Sequence, residues 1–204
     1  MKHLAALTLA TALCGTAAPV LAQSQGDFTL GFGLGYISPD SSDSATAAGA
    51  IDVDGDLSFT LTGEYFVSDK IGIELLVSSP FRHDINLVGT GEVAEISHLP
   101  PTLSVQYHFT NQSNFTPFVG VGVNYTLFFN EDGVGALAGT DVDLDNSFGI
   151  ALHAGLDVDV SERSAIRADI RWIDIDTDVS IGGADVGTVH IDPLIFGLSY
   201  VWTF

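Results

Sequence analysis

The sequence predicts an all-β fold: eight antiparallel strands closed into a transmembrane β-barrel, with short periplasmic turns at one end and long extracellular loops at the other. Three observations predict it. The carboxyl-terminal segment places Phe196, Leu198, Tyr200, Trp202 and Phe204 at every second position, with small or polar residues between them apart from Val201. Side chains alternate along a strand, so this segment has one apolar face rich in aromatic residues. The same alternation recurs through the chain, separated by gaps that are long and short by turns. Finally, 46% of the 204 residues are hydrophobic, yet beyond the amino-terminal segment no run approaches the ~20 apolar residues of a membrane helix.

Each strand can be justified in order. Phe28, Leu30, Phe32, Leu34 and Tyr36 alternate with Thr29, Gly31, Gly33 and Gly35; Leu57, Phe59, Leu61 and Tyr65 alternate with Ser58, Thr60, Thr62 and Glu64. A short turn at Ser68-Asp69-Lys70 leads to Ile71, Ile73, Leu75 and Val77. The fourth stripe is Leu103, Val105, Tyr107 and Phe109. After the turn Asn111–Asn114 the fifth is Phe115, Pro117, Val119, Val121, Val123 and Tyr125. The sixth carries Phe148, Ile150, Leu152, Leu156 and Val158, the seventh Ile166, Ala168, Ile170 and Trp172, and the terminal stripe is the eighth. Each is close to the ~9–11 residues that a tilted spanning strand needs. Long connections around 37–56, 79–98, 129–146 and 174–189 alternate with tight turns. A soluble antiparallel barrel would bury these stripes inward; the aromatic terminal stripe favours lipid outside.

The amino terminus fits that compartment. Lys2 and His3 precede an apolar run from Leu4 to Leu13, and Val20-Leu21-Ala22 offers a small-residue cleavage site. Residues 1–22 are therefore expected to be a cleaved signal peptide and 23–204 the barrel. Cys14 is the only cysteine, so the mature chain needs no disulfide and has no thiol chemistry. A formal charge of −20 argues against nucleic-acid partners.

The inward positions describe the lumen. Towards the periplasmic end, Glu64, Glu74, Asp157, Arg167, Asp169 and Arg171 share the inward phase, and in so narrow a barrel they are expected to meet as a charged plug. Higher up, Leu76, Phe128, Ile173, Ile175, Val189, Ile191 and Ile195 share the same phase. An aqueous porin would not line its mouth this way; a pocket for small apolar molecules would. Pro80, Pro100, Pro101 and Pro117 fall within or beside strands three to five. Each removes a ladder donor, so together they suggest a gap in the wall and a lateral exit into the membrane.

Other chemistry is less well supported. His83, His98, His108, His153 and His190 are scattered over different segments, and no arrangement implies a catalytic triad. No enzyme activity, cofactor or metal is expected. The runs Asp52-Val-Asp54-Gly-Asp56, Asp141-Val-Asp143-Leu-Asp145 and Asp174-Ile-Asp176-Thr-Asp178 read as solvated strand extensions, with cation bridging to lipopolysaccharide as a lesser alternative.

Several of these segments together resemble the OmpW family of small outer-membrane barrels. They are Glu74-Leu75-Leu76 with Pro80-Phe81-Arg82-His83, His98-Leu99-Pro100-Pro101-Thr102, Phe118–Thr126 with Phe128-Phe129, Asp174-Ile175-Asp176-Thr177, Asp192-Pro193 and Phe204. The resemblance implies an outer-membrane channel for passive transport of small hydrophobic molecules, a blocked periplasmic route and lateral exit. Arg171 departs from it, standing where an aromatic side chain is expected. The implied partners are outer-membrane lipid, lipopolysaccharide, small hydrophobic solutes, and barrel-assembly machinery reading Tyr200, Trp202 and Phe204. The competing function is a structural or recognition barrel whose acidic loops contact surface partners.

Overall fold

Every apolar stripe forms one strand of a single closed sheet. The structure, a computed structural model, describes residues 23–40, 45–46 and 49–204. The expected signal peptide lies outside the described residues. So does much of the small-residue loop near residue 45. The eight barrel strands, in chain order, are Phe28–Ser38, Asp56–Ser68, Ile71–Ser78, Thr102–His108, Phe115–Gly133, Ser147–Ser161, Ser164–Ile173 and Leu194–Thr203. Each pairs antiparallel with its neighbours in that order. The eighth closes on the first, in register from Thr29↔Thr203 to Ser38↔Leu194. Closure leaves no barrel edge to meet lipid.

The pleat then sorts the side chains. Phe32, Val121 and Leu198 are 61%, 57% and 60% exposed, while Glu64, Gln106 and His108 on inward positions are buried. Phe28, Tyr65, Tyr107, Phe109, Phe115, Tyr200, Trp202 and Phe204 project outward near the short-turn end. Within this girdle the Phe28 and Phe204 rings lie 6.3 Å apart and Tyr107 meets Phe109 edge-on at 5.0 Å. Aromatic rings of this kind belong at the lipid–water boundary.

The long connections are more ordered than loops. Gly49–Val53, Phe81–Leu87, Gly91–Leu99 and the far half of the fifth strand form a sheet that continues the wall above the barrel. Val142–Leu144, Asp176–Ile181 and Ala184–His190 form a separate three-stranded sheet. The cause is local alternation within these connections. Phe81 and His83 face inward with Arg82 and Asp84 outward, and Val142 and Leu144 face inward with Asp143 outward. The two sheets bury these inward faces against Ile37, Ile173, Ile175 and Ile195 of the barrel mouth.

A charge on the outer face should therefore be costly. Val121→Arg, near the middle of the fifth strand's barrel portion, is expected to destabilise the protein by about 2–4 kcal/mol. Gly122→Arg faces the lumen and would fail for a different reason, by overpacking. Equilibrium denaturation from lipid vesicles checks the first value.

Candidate functional site: sealed floor, apolar cavity and broken wall

The floor is built from side chains that alternation aims inward from six strands. Arg167 on the seventh strand makes a bidentate contact with Asp157 on the sixth, Nε to Oδ1 at 2.7 Å and Nη2 to Oδ2 at 2.8 Å. Its Nη1 donates to Glu74 Oε2 at 2.8 Å and its Nη2 also reaches Glu64 Oε2 at 3.1 Å. Arg171 donates to the other Glu74 oxygen at 2.8 Å and to Ser104 Oγ at 3.3 Å. His108 Nε2 lies 2.7 Å from Glu64 Oε1, and the Arg167 guanidinium sits 4.4 Å from the Phe118 ring centre. A planar fork with five donors suits several carboxylates converging on one point. Glycine makes the space: a Cβ at Gly72 would collide with the Glu64 carboxylate, and one at Gly120 with the His153 ring.

Five of the six charged residues expected in the plug are thus joined directly. Asp169 lies beside them, lining a small space of about 20 Å³ with Glu74, Arg167 and Arg171. His108, Ser104 and Phe118 were not anticipated as members. Their inward phase was legible, but their reach across the lumen was not.

Above the floor lies an apolar cavity of about 120 Å³. Its lining is Val53, Ile85, Leu87, Val93, Ala94, Ile96, Ala136, Leu137, Val142, Leu144, Val179, Ile181, Val186, Val189 and Ile191. Every one is aliphatic. The size approaches that of an engineered apolar cavity of ~150 Å³ that stays dry and takes up benzene. Of the seven residues expected in the pocket, Val189 and Ile191 line it. Ile173, Ile175 and Ile195 are buried in the contiguous apolar cluster, and Phe128 packs against that cluster. Leu76 and Ile195 instead line the small space beside the charges. The cavity therefore stands higher than the sequence suggested, among the extension strands.

The wall is interrupted below this cavity. Pairing of the third and fourth strands ends at Leu76↔Thr102, and the hairpin above resumes at Phe81↔His98. Between them the segments 77–80 and 99–101 carry no mutual ladder pairing, and Pro80, Pro100 and Pro101 have no N–H to donate. Each segment is instead held from its other side: Val77 and Ser78 pair with Leu61 and Thr60, the Ser79 N–H donates to Phe59 O at 2.8 Å, Ser58 Oγ donates to Pro80 O at 3.0 Å, and Leu99 pairs with Leu127. Pro117 is the correction. It pairs with Leu156 near the short turns, where the Phe109 N–H donates to its carbonyl at 2.8 Å. The fifth strand enters from a short turn, so its first residues lie at the opposite end of the barrel from Pro100 and Pro101. Level with those prolines is Tyr125, whose N–H donates to Pro101 O at 3.1 Å.

Two histidines stand at the break. His83 Nδ1 is 2.5 Å from Asp54 O, and its Nε2 is 2.8 Å from His98 Nε2. The His98 ring stacks with Phe81 and lies near Phe128, at centroid distances of 5.6 and 5.7 Å. Both histidines belong to the extension above the lipid-spanning strands. Burial lowers the His83 pKa despite Asp54, Asp56 and Asp84 nearby, and burial together with His83 pushes His98 down to about 3. Their proximity was invisible in sequence, where fifteen positions separate them.

The acidic runs behave differently from one another. Asp174 and Asp176 gather with Asp192, and Asp84 gathers with Glu92 and Glu95, each group within 4.8 Å. Asp52, Asp54 and Asp56 form no such group among the described residues, nor do Asp141, Asp143 and Asp145. Alternate residues of an extended strand share a face but stand nearly 7 Å apart.

A closed eight-stranded sheet with an apolar exterior, an aromatic girdle and a charge-filled floor defines an integral β-barrel of the bacterial outer membrane. A match to the OmpW family covers residues 24–204, and the chain belongs to that family. It is 36% identical to the outer membrane protein W of Escherichia coli K12, with both chains fully covered. It is 30% identical to the outer membrane protein AlkL of Ectopseudomonas oleovorans, covering 89% of this chain and 84% of that one. Among solved structures, OprG from Pseudomonas aeruginosa superposes with a TM-score of 0.77 at 30% identity, covering 91% of this chain and 99% of OprG.

Two outcomes follow for stability. Arg167→Met removes the cation that three buried carboxylates share, and is expected to cost about 3–5 kcal/mol in equilibrium unfolding. The buried histidines set a pH dependence. Their folded pKa values lie below the unfolded value near 6.5, so the folded chain binds fewer protons than the unfolded chain. This contribution to stability is complete above pH ~6.5 and is lost as pH falls towards the His98 value of about 3. Comparing unfolding of wild type and His98→Phe from pH 7.5 to 4.5 checks it: the wild type should lose stability more steeply.

Proposed function

We propose that this barrel admits small apolar solutes passively from the extracellular side and releases them sideways into the membrane. The observation that carries this reading is the wholly aliphatic cavity above a floor closed by Arg167 and its carboxylates. An apolar molecule gains by leaving water for such a lining, by roughly 25 cal/mol per Å² of apolar surface buried. The same molecule would have to displace charge-assisted hydrogen bonds to pass the floor, and these are the stronger kind. The break at 77–80 and 99–101 is the lower-cost way out, because crossing it disrupts no ladder hydrogen bond. Pro80, Pro100 and Pro101 mark that exit; Pro117 has no part in it. Tyr200, Trp202 and Phe204, exposed at the terminal rim, are in place to be read during assembly.

Filling the cavity should stop the traffic without unfolding the barrel. Ala94→Trp is expected to lower uptake of a fluorescent hydrocarbon by cells at least about tenfold, the equivalent of ~1.4 kcal/mol. Unchanged uptake, with the folded barrel present in the membrane at wild-type level, would favour a structural or recognition role instead.

A further inference from the structure

The hydrogen-bonding roles of the two buried histidines are fixed by their partners. A carbonyl oxygen only accepts, so His83 Nδ1, 2.5 Å from Asp54 O, carries a proton and donates. A neutral His83 then presents a lone pair at Nε2. His98 Nε2, 2.8 Å away, must be the donor to it. That leaves the other nitrogen of neutral His98, Nδ1, as a bare acceptor. It is buried and has no hydrogen-bond partner, in a residue only 2% exposed.

The position of this acceptor gives it meaning. His98 and Ile96 are alternate residues of one strand and share its inward face. Ile96 lines the apolar cavity. Leu99, Pro100 and Pro101, which follow His98 directly, form one side of the break in the wall. His98 thus stands between cavity and exit, in an aromatic setting made by Phe81 and Phe128. The cavity lining offers a solute no polar side chain, whereas His98, two residues along the strand from Ile96, carries an unmatched buried acceptor. A buried acceptor left unmatched is costly. A solute bringing one donor would remove that cost while the aromatic rings hold its apolar body.

We propose that His98 is a hydrogen-bonding station on the exit path, and that the preferred solutes are apolar molecules carrying a single donor, alcohols or phenols, over hydrocarbons of the same shape. The proposal rests on the solute-passage reading for its biological sense, but the binding step can be tested by itself.

The test uses the full barrel in lipid nanodiscs with nitrogen-15-labelled histidine, titrated with 4-ethylphenol and with ethylbenzene, which differ by one hydroxyl group. The expected result is a shift of the His98 Nδ1 resonance with 4-ethylphenol and little with ethylbenzene, with the phenol bound about threefold to tenfold more tightly. His98→Phe keeps an aromatic ring and removes the acceptor, and should bring the two affinities close together. If that variant does not fold, the wild-type titration decides alone. An Nδ1 resonance that already reports a hydrogen bond and ignores 4-ethylphenol would overturn the proposal, since a bound water would then hold the lone pair. Equal affinities for the two probes in wild type would overturn it as well. Binding as expected, with no difference in cellular uptake between cells with and without the barrel, would leave the station standing and count against the passage reading.

Discussion

A backbone amide facing hydrocarbon without a partner is among the costliest defects a protein can carry, since no water is present to take its place. That constraint organises this molecule. It requires the first and eighth strands to meet, which they do over ten consecutive residue pairs. It turns the pleat into a sorting device, with one phase for lipid and the other for the lumen. The lumen of an eight-stranded barrel is narrow enough that its side chains fill it, so whatever the inward phase carries must pack and pair within a few ångströms.

The inward phase here changes character with height, and the two halves solve the packing problem differently. Near the short turns the residues are ionisable and are held by two arginines that reach across from the seventh strand. Such a network owes its persistence to completeness, because removing one partner strands the others in a low-dielectric interior. Arg171, standing where an aromatic side chain was expected, extends this layer upward by bonding Glu74 and Ser104. Above it the inward residues are aliphatic and the extension sheets enclose a cavity. The ladder breaks between the two, just above Leu76↔Thr102 and below the hairpin residues Ile85 and Ile96 that line the cavity. A closed polar layer, a gap in the ladder above it and an apolar chamber above the gap are the three features on which the proposed sideways passage rests.

The misplacement of Pro117 shows what strand periodicity omits. It lies only sixteen positions from Pro101, and both interrupt the donor pattern of neighbouring strands. Antiparallel order sends the fifth strand back from the short turn, so the two prolines end near opposite ends of the barrel. Most of the cavity lining was missed for a related reason. Ile85 and Leu87, Val142 and Leu144, Val179 and Ile181 each repeat the two-residue alternation, but over segments too short to stand out from loop composition. Their meaning appears only once two separate sheets fold over the barrel mouth and turn those faces towards one another. His83 and His98 become neighbours through a hairpin whose register no single segment encodes.

What the sequence determined by itself was the sorting: which residues meet lipid, which meet the lumen, how many strands form the barrel and at which end the long connections lie. Alternation is a local property, and one strand is enough to express it. What the tertiary structure decided was which inward residues touch. Arg167 binds carboxylates from three other strands, His98 is left with one bare nitrogen, and the ladder fails between Leu76↔Thr102 and Phe81↔His98. Those facts depend on register and strand order around a closed ring, and register is a relation between segments that neither one carries alone.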